Sequence, residues 1–376
     1  MKVQAIICIF LAGTIPARSQ LVLDSHSAAA RAAQADPWAQ LPVTTLTFSH
    51  TAELSGLPQS PFIMNPLQCT PRGALFFQIP LPPKFMTRAF VFVTAKGKMT
   101  VDADAANVPG FEEFRQLEVF PRDEHVYGIV EGRHRPPGQP PNEAGEKPPW
   151  GEFVVEYAAE GSIESLIPLT QISFTPMKFG VLPSGRLVLA GKDLANLAPV
   201  LVMLDRAGNN PYPLDLFGSQ FYSTQRLSQF YPEVGHDNPA GTGIDRVLSS
   251  VQFVSYGNNL LVVQTGTNFP VAEIGDGGIL RTVPLELPAG TMIESLLPAS
   301  QHAFYVRIAD RRAEPVIHRL IVFDPNTGEA LREIRVSGLS SPGFVACESG
   351  NTFLGLGKAF KEGSDNGVWS LMTASE

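Results

Sequence analysis

Hydrophobic residues along this chain occur in short runs separated by clusters of Gly, Pro, Asn, Asp and Ser. Runs of this kind, rich in Val, Ile, Leu and Phe and bounded by turn residues, predict β-strands joined by tight turns. The clearest unit has two predicted strands within 179–191 and two more at 199–205 and 212–216. Similar sequence segments lie at 250–264, 293–307 and 343–356. Units of four strands that recur about every 40–50 residues are typical of a β-propeller.

Aligning the turn between the first two strands of each unit gives six units. We therefore predict an all-β fold, a six-bladed β-propeller of four-stranded antiparallel blades. The predicted blades span about 60–105, 111–170, 174–217, 246–288, 291–337 and 340–373.

The last unit is one strand short, because its third strand, Val368 to Met372, is followed almost at once by Glu376. The alternating run from Thr44 to Phe48 has no other evident place. Propellers hide their edge strands by pairing one terminus with a blade begun by the other. Residues 43–50 are thus predicted to close the ring, with Thr44 to Phe48 paired beside Val368 to Met372.

The first residues have the character of a secretory signal rather than of a folded element. Lys2 is followed by an apolar run and by Pro16-Ala-Arg-Ser, which predicts a signal peptide over 1–19. Residues 20–42 are predicted to be a disordered leader, with a short helix within 24–36 as the alternative. No other run is long enough to span a bilayer, so the mature chain is expected to be soluble and exported, periplasmic or extracellular.

Composition agrees with a strand-rich, exported protein. Charged residues are only 17% of the chain, and Gly and Pro each contribute 33 residues. The net charge of −8, without a clustered Lys/Arg stripe, argues against nucleic acid as a partner. At 376 residues, a closed ring of repeats forms one domain, which we expect to be monomeric.

The motifs typical of enzymes and metal sites are not found in the sequence. There is no Gly-x-Ser-x-Gly, no His-Glu-x-x-His and no Cys-x-x-Cys, and the seven histidines are dispersed. Phrases such as Pro183-Ser-Gly-Arg186 resemble ligand loops, but Gly, Asn and Pro are also the residues that hairpin turns require. We predict no cofactor and no metal, and we assign no catalytic residue.

Loop length is the remaining functional signal. In a four-stranded blade, the connections from second to third strand and from blade to blade leave from one face, and here they include the insertions 131–150 and 217–245. Long loops on a rigid scaffold often carry binding residues. Exposed loops are also polar by default, so a solvated surface is the alternative. The candidate binding residues are Arg133, His134, Lys192, Asp193, Tyr231, His236, Asp237, Arg311 and Arg312.

Two cysteines remain after the predicted cleavage, Cys69 and Cys347. Both lie near the end of a first strand, in blades that are neighbours in a closed ring. In an oxidising compartment they are a candidate disulfide. The alternative is a pair of buried free thiols.

At the phrase 183–191 and its repeats, the chain resembles secreted bacterial six-bladed propellers of the TolB, NHL-repeat and gluconolactonase-like groups. The resemblance covers about 43–373 and rests on blade rhythm and turn chemistry. The Glu, Asn and Asp metal set that similarity to the lactonases implies cannot be placed here, which argues against lactonase chemistry.

Two functions remain open. The leading interpretation is a non-enzymatic, exported module that binds a small molecule, a carbohydrate or a protein at the long-loop face. The alternative is a hydrolase or lyase whose acid and base come from several blades around the channel mouth.

Overall fold

The computed structural model describes fifteen stretches of the chain. They are 36–57, 64–81, 87–102, 108–123, 125–135, 138, 147–158, 161–196, 198–216, 248–266, 269–297, 303–339, 344–345, 352–360 and 367–375. The predicted signal peptide at 1–19 and the leader as far as residue 35 lie outside them.

Six small sheets form the ring, which confirms the predicted six-bladed β-propeller. Blade 1 contains β3 (Met64–Cys69), β4 (Leu75–Leu81), β5 (Thr87–Val93) and β6 (Met99–Asp102). Blade 2 contains β7 (Phe111–Arg122), β8 (His125–His134), β9 (Trp150–Tyr157) and β10 (Ile163–Pro168). Blade 3 contains β11 (Phe174–Val181), β12 (Leu187–Asp193), β13 (Pro199–Leu204) and β14 (Tyr212–Pro213).

The second half of the ring repeats this order. Blade 4 contains β15 (Val251–Tyr256), β16 (Asn259–Gln264), β17 (Val271–Gly275) and β18 (Gly278–Val283). Blade 5 contains β19 (Thr291–Leu297), β20 (Phe304–Asp310), β21 (Ile317–Phe323) and β22 (Ala330–Ser337). Blade 6 contains β23 (Phe344–Val345), β24 (Thr352–Phe360) and β25 (Gly367–Ser375). The two N-terminal strands are β1 (Val43–Thr47) and β2 (Ser49–Glu53).

The strand sequences follow from burial between blades. A second strand such as β12 is covered on both faces, so Leu187 to Ala190 are all fully buried and the run is continuously apolar. Outer strands face solvent on one side and alternate, as β18 does. The hydrophobic clusters lie between successive blades; for example, Tyr305 of blade 5 packs against Phe353 of blade 6 with ring centroids 5.5 Å apart.

An N-terminal strand closes the ring, but the predicted pairing of Thr44 to Phe48 beside Val368 to Met372 is wrong. The following strand, β2, is the one that pairs antiparallel with β25 as the outer strand of blade 6. The earlier strand, β1, pairs in parallel with β22 and becomes a fifth strand of blade 5. The reason is burial: Leu46 and Phe48 fill the gap between blades 5 and 6, whereas the polar β2 suits an exposed edge.

Residues 36–42 also pack onto the ring, so the predicted disordered leader is wrong for this segment. Trp38 is 3% exposed and contacts Phe323 edge-on, with ring centroids 6.4 Å apart. Trp38 thereby belongs to the cluster between blades 4 and 5. An aromatic side chain of this size supplies enough buried area to order the short segment around it.

The two ends of the ring differ, because each antiparallel blade places two kinds of connection at opposite ends. We call the end with the first-to-second and third-to-fourth strand turns the short-turn face. At the turn between β11 and β12, Gly185 has φ +83° and Leu182 and Arg186 share a backbone hydrogen bond of 2.9 Å. The phrase 183–186 is therefore a hairpin turn, as interpreted from the sequence.

We call the opposite end the long-loop face. The segments 135–149, 194–198, 217–247 and 311–316 connect strands that end or begin there. Within the residues described, no helix is long and apolar enough to cross a membrane.

Cys69, at the end of β3, is buried and disulfide-bonded. Its predicted partner, Cys347, lies outside the described residues, so the pairing itself stays a prediction.

Candidate functional site on the long-loop face

The long-loop end of blade 2 presents an exposed tryptophan beside an arginine. Arg133, near the end of β8, is in register with Trp150, the first residue of β9. The Arg133 guanidinium lies 5.3 Å from the Trp150 ring centroid, and its Nη1 donates a hydrogen bond of 2.6 Å to the carbonyl of Pro148. Trp150 is nevertheless 45% exposed. Strand pairing thus holds a cation–π pair whose aromatic ring remains open to solvent.

Acidic side chains hold this pair in place. Arg133 Nε lies 3.6 Å from Glu113 Oε2, and Lys147 also pairs with Glu113. The hydrogen bond from Lys147 lowers the pKa of Glu113. Next to them, Arg135 pairs with Glu112 at 2.7 Å. Three cations thus face two carboxylates around the exposed ring of Trp150.

His134 points away from Arg133, because successive residues of a strand face opposite sides of the sheet. Its ring centroid lies 4.9 Å from that of Phe111 and 5.6 Å from that of Phe153. Burial lowers the pKa of His134, so its imidazole is neutral near pH 7. This predicted binding residue therefore lies in an aromatic cluster at the edge of blade 2.

Lys192 and Asp193 end β12 on the same face of the ring, in blade 3. Asp193 stabilises the local backbone, because its Oδ1 accepts backbone hydrogen bonds from Ala195 at 2.8 Å and Asn196 at 3.0 Å. This arrangement fixes the turn that follows the strand. The turn leaves Leu194 64% exposed.

Arg311 and Arg312 follow β20 in blade 5, and their roles differ. Arg312 forms a two-pronged pair with Asp310, through Nε–Oδ1 at 2.8 Å and Nη2–Oδ2 at 2.6 Å. Hydrogen bonding by Arg312 lowers the pKa of Asp310. Arg311 is exposed and is held by its backbone N–H, which donates to Gly290. Arg311 is thus the cation of this pair that a ligand can reach.

Three predicted binding residues, Tyr231, His236 and Asp237, lie outside the described residues. Among those described, the structure groups Arg133 and His134 in blade 2, Lys192 and Asp193 in blade 3, and Arg311 and Arg312 in blade 5.

A pair of carboxylates two residues along the strands from Arg133 and Trp150 was not predicted from the sequence. Glu131 of β8 and Glu152 of β9 are directly opposite in register. Glu131 accepts a hydrogen bond of 2.6 Å from Arg115 Nε. Burial, and then the charge of Glu131, raise the pKa of Glu152 to about 7. Glu152 and Glu156, four residues apart and hence on the same side of a largely apolar strand, were the signal for polar groups on that side of the blade.

A second cluster that was not predicted lies at the short-turn end of the same blade, formed by His125, Glu156 and Glu164. His125 Nδ1 lies 3.6 Å from Glu156 Oε1 and 3.2 Å from Glu164 Oε2. The three residues come from β8, β9 and β10, so their separation along the sequence carries no recognisable spacing.

No protein-family model matches the chain, and no curated protein matches it either. Among solved structures, the chain is similar to the Trypanosoma rangeli sialidase in complex with sialic acid, at 10% identity and a TM-score of 0.40, covering 88% of this chain and 57% of that one. It is also similar to the β-propeller domain of the Trilobed protease from Pyrococcus furiosus, at 9% identity and a TM-score of 0.36, covering 67% and 65%. The chain thus spans about three fifths of the length of these structures. A likeness at this level of identity concerns the fold alone.

Proposed function

We propose that this protein is an exported module that binds a ligand at its long-loop face, with Trp150 and Arg133 as the anchor. The observation that carries the proposal is the cation–π pair itself: a large aromatic ring, 45% exposed, is held by a strand end and an arginine instead of being buried. Trp and Arg are the side chains most enriched at the energetic centres of binding surfaces.

Further exposed apolar residues on this face support the proposal. Leu194 follows Lys192 in blade 3, and Val316 and Ile317 follow the Arg311 segment in blade 5, with exposures of 64%, 41% and 42%. Apolar side chains next to cations are typical of recognition surfaces. The fitting ligand is therefore an anionic small molecule, an acidic carbohydrate or an acidic protein surface with an apolar or ring-shaped part that stacks on Trp150.

We further propose that the protein is exported and that it is related to the TolB, NHL-repeat and gluconolactonase-like propellers. Export is supported by the signal-like residues 1–19, and the kinship by the blade rhythm of the sequence. The mature chain would then meet its ligand outside the cytoplasm.

The test compares two exposed aromatic side chains on different surfaces. Trp150→Ala removes the proposed anchor, and Tyr212→Ala removes a 55% exposed ring on the outer strand β14 of blade 3. Both variants are screened with the parent chain against arrays of sulfated and sialylated glycans and of acidic peptides. We expect Trp150→Ala to weaken any specific binding by about tenfold or more, and Tyr212→Ala to leave it unchanged. Equal losses, or full binding by Trp150→Ala, would place the site elsewhere.

A second function, hydrolysis or elimination, is favoured by one observation. A carboxyl group with a pKa near neutrality serves as a general acid or base at physiological pH, and Glu152 beside Glu131 has that property. The pair lies on the side of β8 and β9 that packs toward blade 3, as Ile129 and Val154 do. Activity on a panel of chromogenic esters and glycosides that disappears in Glu152→Gln, and persists in the exposed-site variant Glu286→Gln, would support it. Activity retained by Glu152→Gln would reject this site.

A further inference from the structure

We propose that His125, Glu156 and Glu164 bind a divalent transition-metal ion on the short-turn face of blade 2. This site lies at the end of the ring opposite the proposed ligand surface, so it is independent of that function. One imidazole nitrogen and one oxygen from each of two carboxylates lie within 4.8 Å of one another.

The distances fit a metal better than a hydrogen-bonded ion pair. His125 Nδ1 lies 3.2 Å and 3.6 Å from its two carboxylate oxygens, yet it makes no hydrogen bond within the part of the chain described. With metal–ligand bonds of about 2.0–2.2 Å, neighbouring ligand atoms of a tetrahedral site lie about 3.3–3.6 Å apart. The nitrogen is thus spaced from both oxygens as ligands of one ion would be.

The central ligand is already oriented by other side chains. Glu156 is 3% exposed, and its carboxylate accepts hydrogen bonds from Tyr127 at 2.6 Å and Ser165 at 2.7 Å. Carboxylate ligands of metal ions are commonly fixed by outer hydrogen bonds of this kind.

The local charge favours a cation, and an ion can enter from the side of Glu164. The side chains of His125 and Glu164 are 34% and 42% exposed, but the Nδ1 atom of His125 is itself buried, so the open side of the site is at Glu164. Among the residues that the structure describes, the two carboxylates are opposed by one arginine, Arg206, 3.7 Å from Glu156 Oε2. That side chain is 71% exposed, so it can move aside when an ion binds.

The ligand set selects the kind of metal. Imidazole suits Zn²⁺ and other transition metals, whereas Ca²⁺ and Mg²⁺ prefer oxygen ligands alone. A site of one nitrogen and two carboxylates should therefore bind Zn²⁺ more tightly than Mn²⁺, following the general affinity order, and should discriminate against Ca²⁺.

The experiment is titration of the tag-free mature chain with Zn²⁺, Mn²⁺ and Ca²⁺ by isothermal calorimetry at neutral pH. We expect one Zn²⁺ per chain, and affinity about tenfold lower or worse in His125→Asn and in Glu164→Gln. Glu164 is on the surface, so its variant tests the site even if His125→Asn folds poorly. Arg206→Gln should bind Zn²⁺ several-fold more tightly, because the opposing cation is gone.

His318 provides the matched control. Its Nδ1 lies 2.8 Å from Glu294 Oε1, but the second neighbour of that carboxylate is Arg307, at 3.0 Å, rather than another acid. His318→Asn should leave Zn²⁺ affinity unchanged. Absence of Zn²⁺ binding by the parent chain, equal affinity for Ca²⁺, or unchanged affinity in both His125→Asn and Glu164→Gln would overturn the proposal.

Discussion

Arg319 of β21 donates a hydrogen bond of 2.8 Å to Asp36, a residue that precedes it by 283 positions. The same guanidinium lies 3.1 Å from Glu333 and 4.0 Å from Asp310. One arginine therefore joins the N-terminal segment to three strands of blade 5 and keeps three carboxylates from repelling one another.

Replacing Arg319 with Met should destabilise the protein by about 3 kcal/mol or more, because it leaves the nearly buried carboxylates of Asp310 and Glu333 without this counter-ion. Urea unfolding measures the change. Arg335→Met is the control, since that side chain is 63% exposed and lies 3.6 Å from Glu333; it should cost at most about 0.5 kcal/mol. Similar losses in free energy of unfolding in the two variants would show that the Arg319 network stabilises the protein no more than an exposed ion pair does.

Ring closure should depend on the buried Phe48 more than on the exposed Val43 of the same N-terminal segment. Phe48 is 4% exposed between blades 5 and 6, so Phe48→Ala should lower the free energy of unfolding by about 3–5 kcal/mol. Val43, 46% exposed on β1, provides the comparison, and Val43→Ala should change stability by less than about 0.5 kcal/mol. A small effect at Phe48 would contradict the closure described.

Glu152 should make stability fall as pH rises. Its pKa is about 7 in the folded chain and 4.5 ordinarily, so the folded state holds the proton more tightly. The stabilisation is complete below the ordinary pKa and is lost as pH rises through about 7. Subtracting the stability curve of Glu152→Gln from that of the parent should isolate this fall. A flat difference curve for Glu152→Gln would disprove the shift.

The disulfide of Cys69 should join it to Cys347. Strand β23, which ends two residues before Cys347, lies against β3, which ends at Cys69. Non-reducing peptide mapping should recover the 69–347 linked peptides, and Cys69→Ser should cost about 2–5 kcal/mol. The double variant with Cys347→Ser should be no less stable than either single variant. A linkage from Cys69 to any other cysteine would refute the pairing.

The blade architecture could be predicted from the sequence because each inner strand is buried on both faces. The run Leu187 to Ala190 and the turn glycine Gly185 are unambiguous signals of this kind. Strand β2 gave no such signal, since most of Ser49–Glu53 is exposed at an edge. Its position depends on pairing with β25, more than 300 residues away, which no local pattern encodes.

The candidate sites were only partly predictable for the same reason. Arg133 stood out as a cation in a long connection, but the role of Trp150 depends on strand register. His125 looked like one dispersed histidine, because Glu156 and Glu164 join it only when three strands are side by side. Local patterns thus predicted the scaffold, whereas the chemistry arises from contacts between strands.

The placement of β2 has a consequence for biosynthesis. Blade 6 is complete only when residues 49–53 pair with residues 367–375, which the ribosome adds more than 300 residues later. Blades 1 to 5 can therefore form in order during synthesis, whereas β2 stays without its partner strand until β25 has been made.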